Sequence, residues 1–186
     1  MPRKWNTAVA GSKQNFLLHN DIVFHPVVNN GILGFSVWIG GILSPQMNAY
    51  ALPLNAWVLP DEMCKIMDIV IRLWRNNGER EKRTKGRFRM YLDQVGHEEF
   101  RKQVVELFGP LEPDPGSKFD DSPRSYFGIH PQKQHGLYFA GMHVPVGRLT
   151  AQDLQDMATA SLKYGSGEIR LTDCLLYTSD AADEKY

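Results

Sequence analysis

The sequence predicts an α+β fold, and three observations support this prediction. Residues 4–10 (KWNTAVA) and 34–43 (GFSVWIGGIL) are predicted strands, the second because it is rich in β-branched and aromatic residues and bounded by glycine. Three stretches with apolar residues at helical spacing follow between residues 61 and 108. Residues 136–172 then predict a strand, a helix and a strand. Strands and helices that are separated along the chain are typical of α+β folds.

Each of the three predicted helices carries an apolar stripe and ends at a glycine. Asp61 is expected to cap the first helix, which ends at Asn77–Gly78. The second helix ends at Val95–Gly96, and the third covers about 98–108. The stripes, which predict the core, are Met63, Ile66, Met67, Val70, Leu73 and Trp74; Phe88, Tyr91, Leu92 and Val95; and Phe100, Val104, Val105 and Phe108.

Two polar or glycine-rich segments lie among the predicted strands. Residues 19–31 (HNDIVFHPVVNNG) are rich in Asn and His and predict a polar loop. The pair Gly40–Gly41 allows two interpretations, which we weight equally. One is a bulge or bend in the strand, and the other is a close approach of the backbone to a ligand.

Composition limits the classes of protein to which the chain can belong. Its 186 residues suffice for one ordinary domain or parts of two, and 42% hydrophobic content is enough for a core. The formal net charge is zero, so charge alone makes no case for nucleic acid. No apolar run approaches the length of about 20 residues that spans a bilayer, and no signal peptide is visible. Cys64 and Cys174 form neither a disulfide framework nor a metal knuckle.

Residues 110–125 (PLEPDPGSKFDDSPRS) separate two predicted domains, 1–125 and 126–173. This segment is rich in Pro, Asp and Ser, which indicates a linker or a long loop. In the second domain, Thr150 and Asp153 predict a capping box at the start of the helix. The strand–helix–strand order is that of half a ferredoxin-like βαββαβ fold. The helix is expected to bury Leu154, Met157, Ala158, Leu162 and Tyr164.

The last residues differ in character from the rest of the chain. Residues 174–184 (CLLYTSDAADE) resemble the translation of a transposon-end sequencing adapter, and the alternative is a genuine polar tail. We therefore expect residues 174–186 not to be native and the native sequence to stop near Asp173. Without those residues, three acids and one base are lost, and the formal net charge becomes about +2.

The first candidate site is the segment PRKWN. On a strand, Lys4 and Asn6 point to the same face, and Arg3 points to the other. An ammonium group and an amide that converge from one face suit a small anion with several oxygens. The alternative is a solvated basic terminus.

The second candidate site is residues 128–136 (GIHPQKQHG), which hold two histidines, two glutamines and a lysine without an acid. His130 and His135 are five positions apart, which suits neither a shared strand face nor a pair one helical turn apart. The segment therefore predicts a donor-rich loop for a polyanionic ligand rather than a metal site. The alternative is a polar surface loop.

The third candidate is the basic segment 72–89, which holds eight Lys or Arg residues against two Glu. Its simplest interpretation is a solvated helical face. The functional alternatives are a docking face for an acidic protein or for nucleic acid.

Taken together, these segments resemble the siroheme nitrite and sulfite reductase family, and within it the assimilatory ferredoxin-dependent nitrite reductases. The matching stretches appear in the family's order and span nearly all of residues 2–172. They are PRKWN, GF-x-V-x-IGG, PLNAWV, GEREKRTKGRFR, GIHPQKQHGL, HVPVGRLTAQD and YGSGEIRLT.

The resemblance implies a reaction, two cofactors and a partner. The reaction is the six-electron reduction of nitrite to ammonium, with electrons passed singly from ferredoxin through a 4Fe–4S cluster to siroheme. Lys4 and Asn6 match the positions that face the anion, and Arg3 and Lys133 match positions that hold siroheme carboxylates, together with Gln132 and Gln134. The 1–125 domain would then face siroheme, 126–173 would begin the ferredoxin-like half-domain, and 72–89 would dock ferredoxin.

Asn6 decides between two substrates. Sulfite reductases of the superfamily carry Lys-aromatic-Lys where this chain has Lys-Trp-Asn, and a monoanion needs one cation fewer than a dianion. We therefore expect nitrite reductase, with sulfite reductase as the alternative. A non-catalytic basic binding module around residues 72–89 is an alternative of another class.

Two features of the family are expected to lie outside this chain. The cysteines that bind the cluster come further toward the C-terminus, and Cys64 is expected to be a core thiol. The N-terminal half-domain is also expected to be missing, so the chain would be an internal piece that binds neither cofactor tightly alone. The parent enzyme is expected to be a monomer in the chloroplast stroma, or in the cytoplasm if cyanobacterial or bacterial, without membrane or nucleic-acid partners.

Overall fold

The structure is a computed structural model that describes residues 4–10, 16–45, 47–82, 85–116, 128–132, 134–142 and 144–169. The chain divides into two compact units, residues 1–121 and 122–186. Both contain helices and strands, which agrees with the predicted α+β class. In the described residues, no helix is both long enough and apolar enough to cross a membrane.

The strands of the first unit are β1 (Thr7–Val9), β2 (Ile22–Asn29), β3 (Ile32–Ile39), β4 (Ile42–Ser44), β5 (Met47–Ala49) and β6 (Leu52–Val58). Four of them form a sheet in the order β1-β2-β3-β6. The edge strand β1 runs parallel to β2, whereas β3 is antiparallel to both β2 and β6. A separate hairpin is formed by β4 and β5.

The predicted polar loop over residues 19–31 was wrong, because this segment contains β2. Ile22 and Phe24 belong to the main core cluster, and Val23 belongs to a second cluster, so the start of β2 is buried on both faces. The hairpin between β2 and β3 turns at Asn30 and Gly31, which have φ angles of 49° and 80°. Two residues with positive φ are typical of the tight turn that matches the twist of paired strands.

The pair Gly40–Gly41 separates β3 from β4, and protein atoms explain both glycines. A Cβ at Gly40 would collide with the Leu92 side chain, and φ at Gly40 is +81°. A Cβ at Gly41 would collide with the carbonyl oxygens of Leu18 and Asn20. The close backbone approach is therefore to the protein itself, which supports the bend rather than a ligand.

Three helices follow the sheet and supply the other half of the core. They are α1 (Met63–Asn77), α2 (Phe88–Val95) and α3 (His97–Phe108). The predicted cap by Asp61 was wrong, because a 3₁₀ turn over Pro60–Glu62 precedes α1 and the Glu62 carboxylate accepts a hydrogen bond from Leu59 N–H at 3.0 Å. The largest fully buried side chains at this interface include Phe24 from the sheet and Trp74, Phe88 and Phe100 from the helices.

The second unit contains the hairpin of β7 (Gly128–Pro131) and β8 (Tyr138–Gly141), and the helix α4 (Ala151–Tyr164). The predicted capping box is confirmed, since Thr150 Oγ1 accepts from Asp153 N–H at 3.1 Å and Thr150 N–H donates to the Asp153 carboxylate at 2.8 Å. The predicted burial of the α4 stripe was wrong, because Leu162 and Tyr164 are 74% and 80% exposed. The predicted strand at 168–172 lies mostly outside the described residues.

Candidate anion-binding site

The segment Lys4–Asn6 lies at one end of the edge strand β1. Its pairing with β2 extends beyond the strand itself, because Asn6 C=O accepts a hydrogen bond from Ile22 N–H at 3.2 Å. The observed strand, β1, is shorter than the predicted strand over residues 4–10. The main chain at Asn6 is nevertheless held in register with β2. This pairing fixes the segment that carries the two candidate anion donors.

Trp5 anchors this segment to the core of the first unit. Its ring centroid lies 5.6 Å from that of Trp74 and 5.4 Å from that of Phe88. The indole N–H donates to Thr7 Oγ1 at 2.8 Å, so the polar end of the ring also has a partner. The alternation expected of an extended chain would direct the Lys4 and Asn6 side chains away from the face that Trp5 occupies. Lys4 is exposed, and Asn6 is half-buried.

Beneath Asn6 lies Asp21, whose carboxylate is completely buried. One carboxylate oxygen accepts a hydrogen bond from Asn6 N–H at 2.8 Å. Arg87 Nη2 donates to both oxygens, at 3.1 and 3.2 Å. Burial raises the pKa of Asp21 above its ordinary value, and the Arg87 charge, the Asn6 amide and the Lys4 charge oppose this rise.

Sequence reasoning did not find the pair formed by Asp21 and Arg87, although both residues contact or support the candidate site. The two are 66 positions apart, and each lies in a polar stretch that predicts exposure. One signal was present in the sequence: Asp21 directly precedes the apolar run Ile22–Phe24. A polar residue next to a buried run is a candidate for burial. That signal gives no partner for the carboxylate.

The predicted loop over residues 128–136 was partly wrong, because residues 128–131 form β7. The described residues that follow, Gln132 and 134–137, lie in the turn that leads to β8. Gln132 N–H donates to Leu137 C=O at 2.9 Å, and the Gln132 side-chain amide donates to Tyr138 C=O at 2.8 Å. The Gln134 side chain is exposed. An open cleft, whose lining among the described residues includes no carboxylate, is formed by Pro131, Gln132, Gln134, His135, Gly136, Leu137 and Tyr138.

The candidate residues thus fall into two groups, one in each unit. Lys4 and Asn6 lie together in the first unit, on the segment that Trp5 and Asp21 hold. Gln132 and Gln134 lie together in the hairpin turn of the second unit. Arg3 and Lys133 lie outside the described residues.

Side chains that could bind a metal do not cluster in the part of the chain that the structure describes. The residues that the structure describes contain no group of three or more His, Cys, Asp or Glu side chains able to hold a metal ion. The prediction of Cys64 as a core thiol was wrong, because this residue lies on the exposed side of α1. A 4Fe–4S cluster takes four thiolates, and the chain contains two cysteines, so it cannot supply the complete ligand set.

The basic segment 72–89 is less available to a partner than its composition suggests. Arg72 pairs with Asp68 at 2.7 Å, and Arg87 is buried with Asp21. Arg89 pairs with Asp93 at 2.7 Å and donates to the carbonyl oxygens of Gly40 and Tyr50. The exposed cations among the described residues of this segment also include Arg75, Arg80, Lys82 and Lys85.

Comparisons with known proteins give a consistent result. The chain matches the family models of the nitrite and sulphite reductase 4Fe-4S domain over residues 1–110 and of the nitrite/sulfite reductase ferredoxin-like half domain over residues 130–174. It is 43% identical over 176 residues to ferredoxin–nitrite reductase of Synechococcus elongatus and 41% identical over 180 residues to the chloroplastic enzyme of Zea mays. Each alignment covers 92% of this chain, and 34% and 32% of the respective relative.

A solved structure agrees with these matches. The Mycobacterium tuberculosis NirA protein superposes with a TM-score of 0.78 at 26% identity, covering 98% of this chain and 36% of that one. The chain spans about a third of the length of the curated relatives that it matches. On the family match over residues 1–110 and the shared fold, the chain belongs to the nitrite and sulphite reductase family.

Proposed function

We propose that this chain is part of a ferredoxin–nitrite reductase, which reduces nitrite to ammonium with six electrons in nitrate assimilation. The observation that carries the proposal is the segment Lys4–Asn6, in which an exposed ammonium group lies next to an amide residue held by Asp21. Relatives named ferredoxin–nitrite reductase, at 37–43% identity, support it. Residues 1–125 would form the siroheme-facing domain, and 126–173 part of the ferredoxin-like half-domain.

The tail is a separate proposal. We propose that residues 174–186 are an adapter translation rather than native protein, and they lie outside the described residues.

The donor set of this chain fits siroheme, which carries eight peripheral carboxylates. In the second unit, the described residues that line the cleft around Gln132 and Gln134 are donors and apolar groups, and none of them is a carboxylate that would repel the cofactor. Gln132 and Gln134 would hold siroheme carboxylates, together with Arg3 and Lys133. When bound, siroheme supplies the iron that carries nitrite and passes electrons to it. The thiolates for the 4Fe–4S cluster would come from outside this chain.

The work of Lys4 and Asn6 is to bind and orient the anion. Lys4 Nζ carries a positive charge and three N–H donors, and the Asn6 side-chain amide adds two. Donors that are fixed before the reaction stabilise negative charge on oxygen as N–O bonds break. Lys4 Nζ also holds a proton at the point where oxygen must be protonated to leave as water. The Trp5 ring and the Asp21 carboxylate hold the segment itself, so the points from which the two donor side chains extend are fixed.

Asn6→Lys in the full-length enzyme tests the choice of anion. A second ammonium group at this position favours the dianion, so we expect turnover with sulfite to rise relative to nitrite by about tenfold in kcat/KM. Steady-state kinetics with both anions measure the ratio. The matched control is Asn48→Lys, which adds the same charge on β5, and it should leave the ratio unchanged. An unchanged ratio in Asn6→Lys would contradict the role of Asn6 in selecting nitrite.

Ferredoxin is the proposed electron donor, and we propose that it docks at the exposed cations Arg80, Lys82 and Lys85. Arg72, Arg87 and Arg89 are engaged with protein carboxylates, whereas Arg80, Lys82 and Lys85 are exposed and lie together in the stretch between α1 and α2. Acidic partners are steered by such a patch. Nucleic acid as the partner of this segment has no comparable support.

Charge reversal at Lys82 and Lys85 tests the docking face. We expect the double variant Lys82→Glu, Lys85→Glu to raise the KM for ferredoxin about fivefold at low salt and to flatten its salt dependence, because long-range attraction is lost. The charge-matched control is Lys102→Glu together with Lys65→Glu, which changes the net charge equally on α3 and α1. An equal rise in KM in the control would show that only net charge matters and would remove this docking face.

The relatives, rather than the fold, support a cellular compartment for the complete enzyme. The Synechococcus elongatus and Zea mays relatives support a cyanobacterial-type cytoplasm or a chloroplast as the compartment of the complete enzyme. We propose that the complete enzyme is a monomer.

Sulfite reductase has no specific support in this chain, because Asn6 occupies the position that would carry the second lysine.

A further inference from the structure

We propose that Asp21, with Arg87 as its counter-ion, is the positioning residue of the anion site. Its carboxylate holds the main chain of Asn6 in place, and Arg87 neutralises that carboxylate so that the charge of Lys4 stays available to the anion. This inference rests on the proposed function. It adds two residues that do not touch the anion but determine how tightly it is bound.

The first step is geometric. Asn6 N–H donates to the Asp21 carboxylate at 2.8 Å, and Asn6 C=O accepts from Ile22 N–H at 3.2 Å. Two successive residues, Asp21 and Ile22, therefore hold the main-chain N–H and C=O of Asn6. Asp21 itself is fixed by its main chain, since its C=O accepts from Gly40 N–H at 2.8 Å. The position of Asn6 is in this way tied to β2 and to the end of β3.

The second step concerns charge. An uncompensated carboxylate in the protein interior is very costly, and here Arg87 Nη2 donates to both oxygens while its own side chain is 10% exposed. Lys4 lies close enough for its charge to act on Asp21 as well. Without Arg87, the buried carboxylate would attract the Lys4 ammonium group and reduce the positive potential that an anion experiences. Arg87 makes the pair neutral and removes that competition.

The third step is the reason for an ion pair at this place. Replacing a buried ion pair by apolar residues of similar volume is often neutral or stabilising, so stability alone does not call for Asp21 and Arg87. An apolar residue at position 21 could not accept the Asn6 N–H. A carboxylate can, and once it is buried it needs a cation beside it. Positioning of Asn6 therefore accounts for both residues.

The test is nitrite affinity in the full-length holoenzyme, measured by titrating nitrite against the visible absorption spectrum. Asp21→Ala removes the acceptor, and we expect nitrite to bind about tenfold more weakly, the effect of about one lost charge-assisted hydrogen bond. Asp21→Asn keeps an oxygen acceptor for Asn6 N–H and should weaken binding only about threefold. Arg87→Gln leaves the carboxylate without its counter-ion and should weaken binding about tenfold.

The matched control is Arg101→Gln. Arg101 is also a partly buried arginine, but it donates to the carbonyl oxygens of Leu54 and Asn55 and has no contact with Asp21 or with residues 4–6 among its hydrogen bonds. It should lower stability without changing nitrite affinity. If Arg101→Gln weakens nitrite binding as much as Arg87→Gln does, the effect is general destabilisation and the proposal is overturned.

A double variant separates positioning from stability. If Asp21 acts by positioning the Asn6 side chain, Asp21→Asn should have little further effect on nitrite affinity in an Asn6→Ala background, whereas independent effects would add. Additive losses would overturn the proposal, as would an unchanged affinity in both Asp21→Asn and Arg87→Gln. Should Asp21→Ala fail to fold, these two milder variants decide the question. Failure of the proposed function is distinct, since the wild-type holoenzyme itself would then not reduce nitrite.

Discussion

Lys4→Gln in the full-length enzyme is expected to lower kcat/KM for nitrite by about 10²–10³-fold, the loss seen when one fixed donor to a developing oxyanion is removed. The reason is that Lys4 carries the exposed cation of the segment Lys4–Asn6 and lies beside a carboxylate that Arg87 neutralises. Glutamine keeps an N–H donor and most of the length of the side chain, being one atom shorter than lysine, but loses the charge. Steady-state kinetics at several nitrite concentrations, with reduced ferredoxin in excess, measure the loss.

Two variants make this result specific to Lys4. Lys4→Arg keeps the charge and should retain part of the activity, though less than lysine because its planar fork differs from the compact ammonium group. Lys102→Gln removes a cation of similar exposure on α3, where it pairs with Glu99, and should leave nitrite kinetics unchanged. Equal activity in wild type and Lys4→Gln would show that Lys4 is a solvated terminal residue, which is the simpler interpretation of PRKWN.

Trp5→Ala is expected to lower the free energy of unfolding by about 3 kcal/mol and to weaken nitrite binding at the same time. Its ring packs against Trp74 and Phe88, so truncation leaves a gap beside two fully buried rings. The same truncation releases the segment between the two anion donors. Thermal unfolding followed by near-ultraviolet circular dichroism gives the stability change, and spectroscopic nitrite titration gives the affinity.

Trp57→Ala is the matched control for Trp5→Ala. Trp57 is a buried tryptophan on β6 whose indole N–H donates to Val27 C=O at 3.1 Å, and its hydrogen bonds do not involve residues 4–6. It should lower stability by a similar amount while the folded enzyme keeps its nitrite affinity. Loss of stability in Trp5→Ala with unchanged nitrite affinity would mean that Trp5 stabilises the core but does not hold the site.

The helices could be predicted because each carries a long apolar stripe with a clear end. The strand β2 could not, since Asp21 and Asn29 flank its apolar residues, His25 interrupts them, and its first half is buried on both faces instead of alternating. A strand of that kind has no period-2 signal, so a polar loop was the natural prediction. The same limit applies to Asp61, which has the right chemistry for a cap but lies within a 3₁₀ turn.

The candidate site could be predicted only as far as local spacing reaches. Alternation along a strand is enough to predict that Lys4 and Asn6 share a face, and the structure shows that Trp5 between them packs against the ring of Trp74. The pairing of Asp21 with Arg87 depends on how a strand and a helix pack across 66 positions, which no local pattern encodes. For the same reason, composition overstated the basic segment, in which Arg72, Arg87 and Arg89 are engaged by Asp68, Asp21 and Asp93.

In the hydrogen bonds described above, Asn6 contributes to the fold only through its main chain. Its N–H and C=O are used by Asp21 and Ile22, and any residue except proline offers the same two groups. These main-chain hydrogen bonds therefore place no demand on the identity of the side chain at position 6. On the role proposed for Asn6, an evolving lineage could exchange one anion for another by a single codon change here, because anion selectivity and the hydrogen bonds of the sheet edge would depend on different atoms of the same residue.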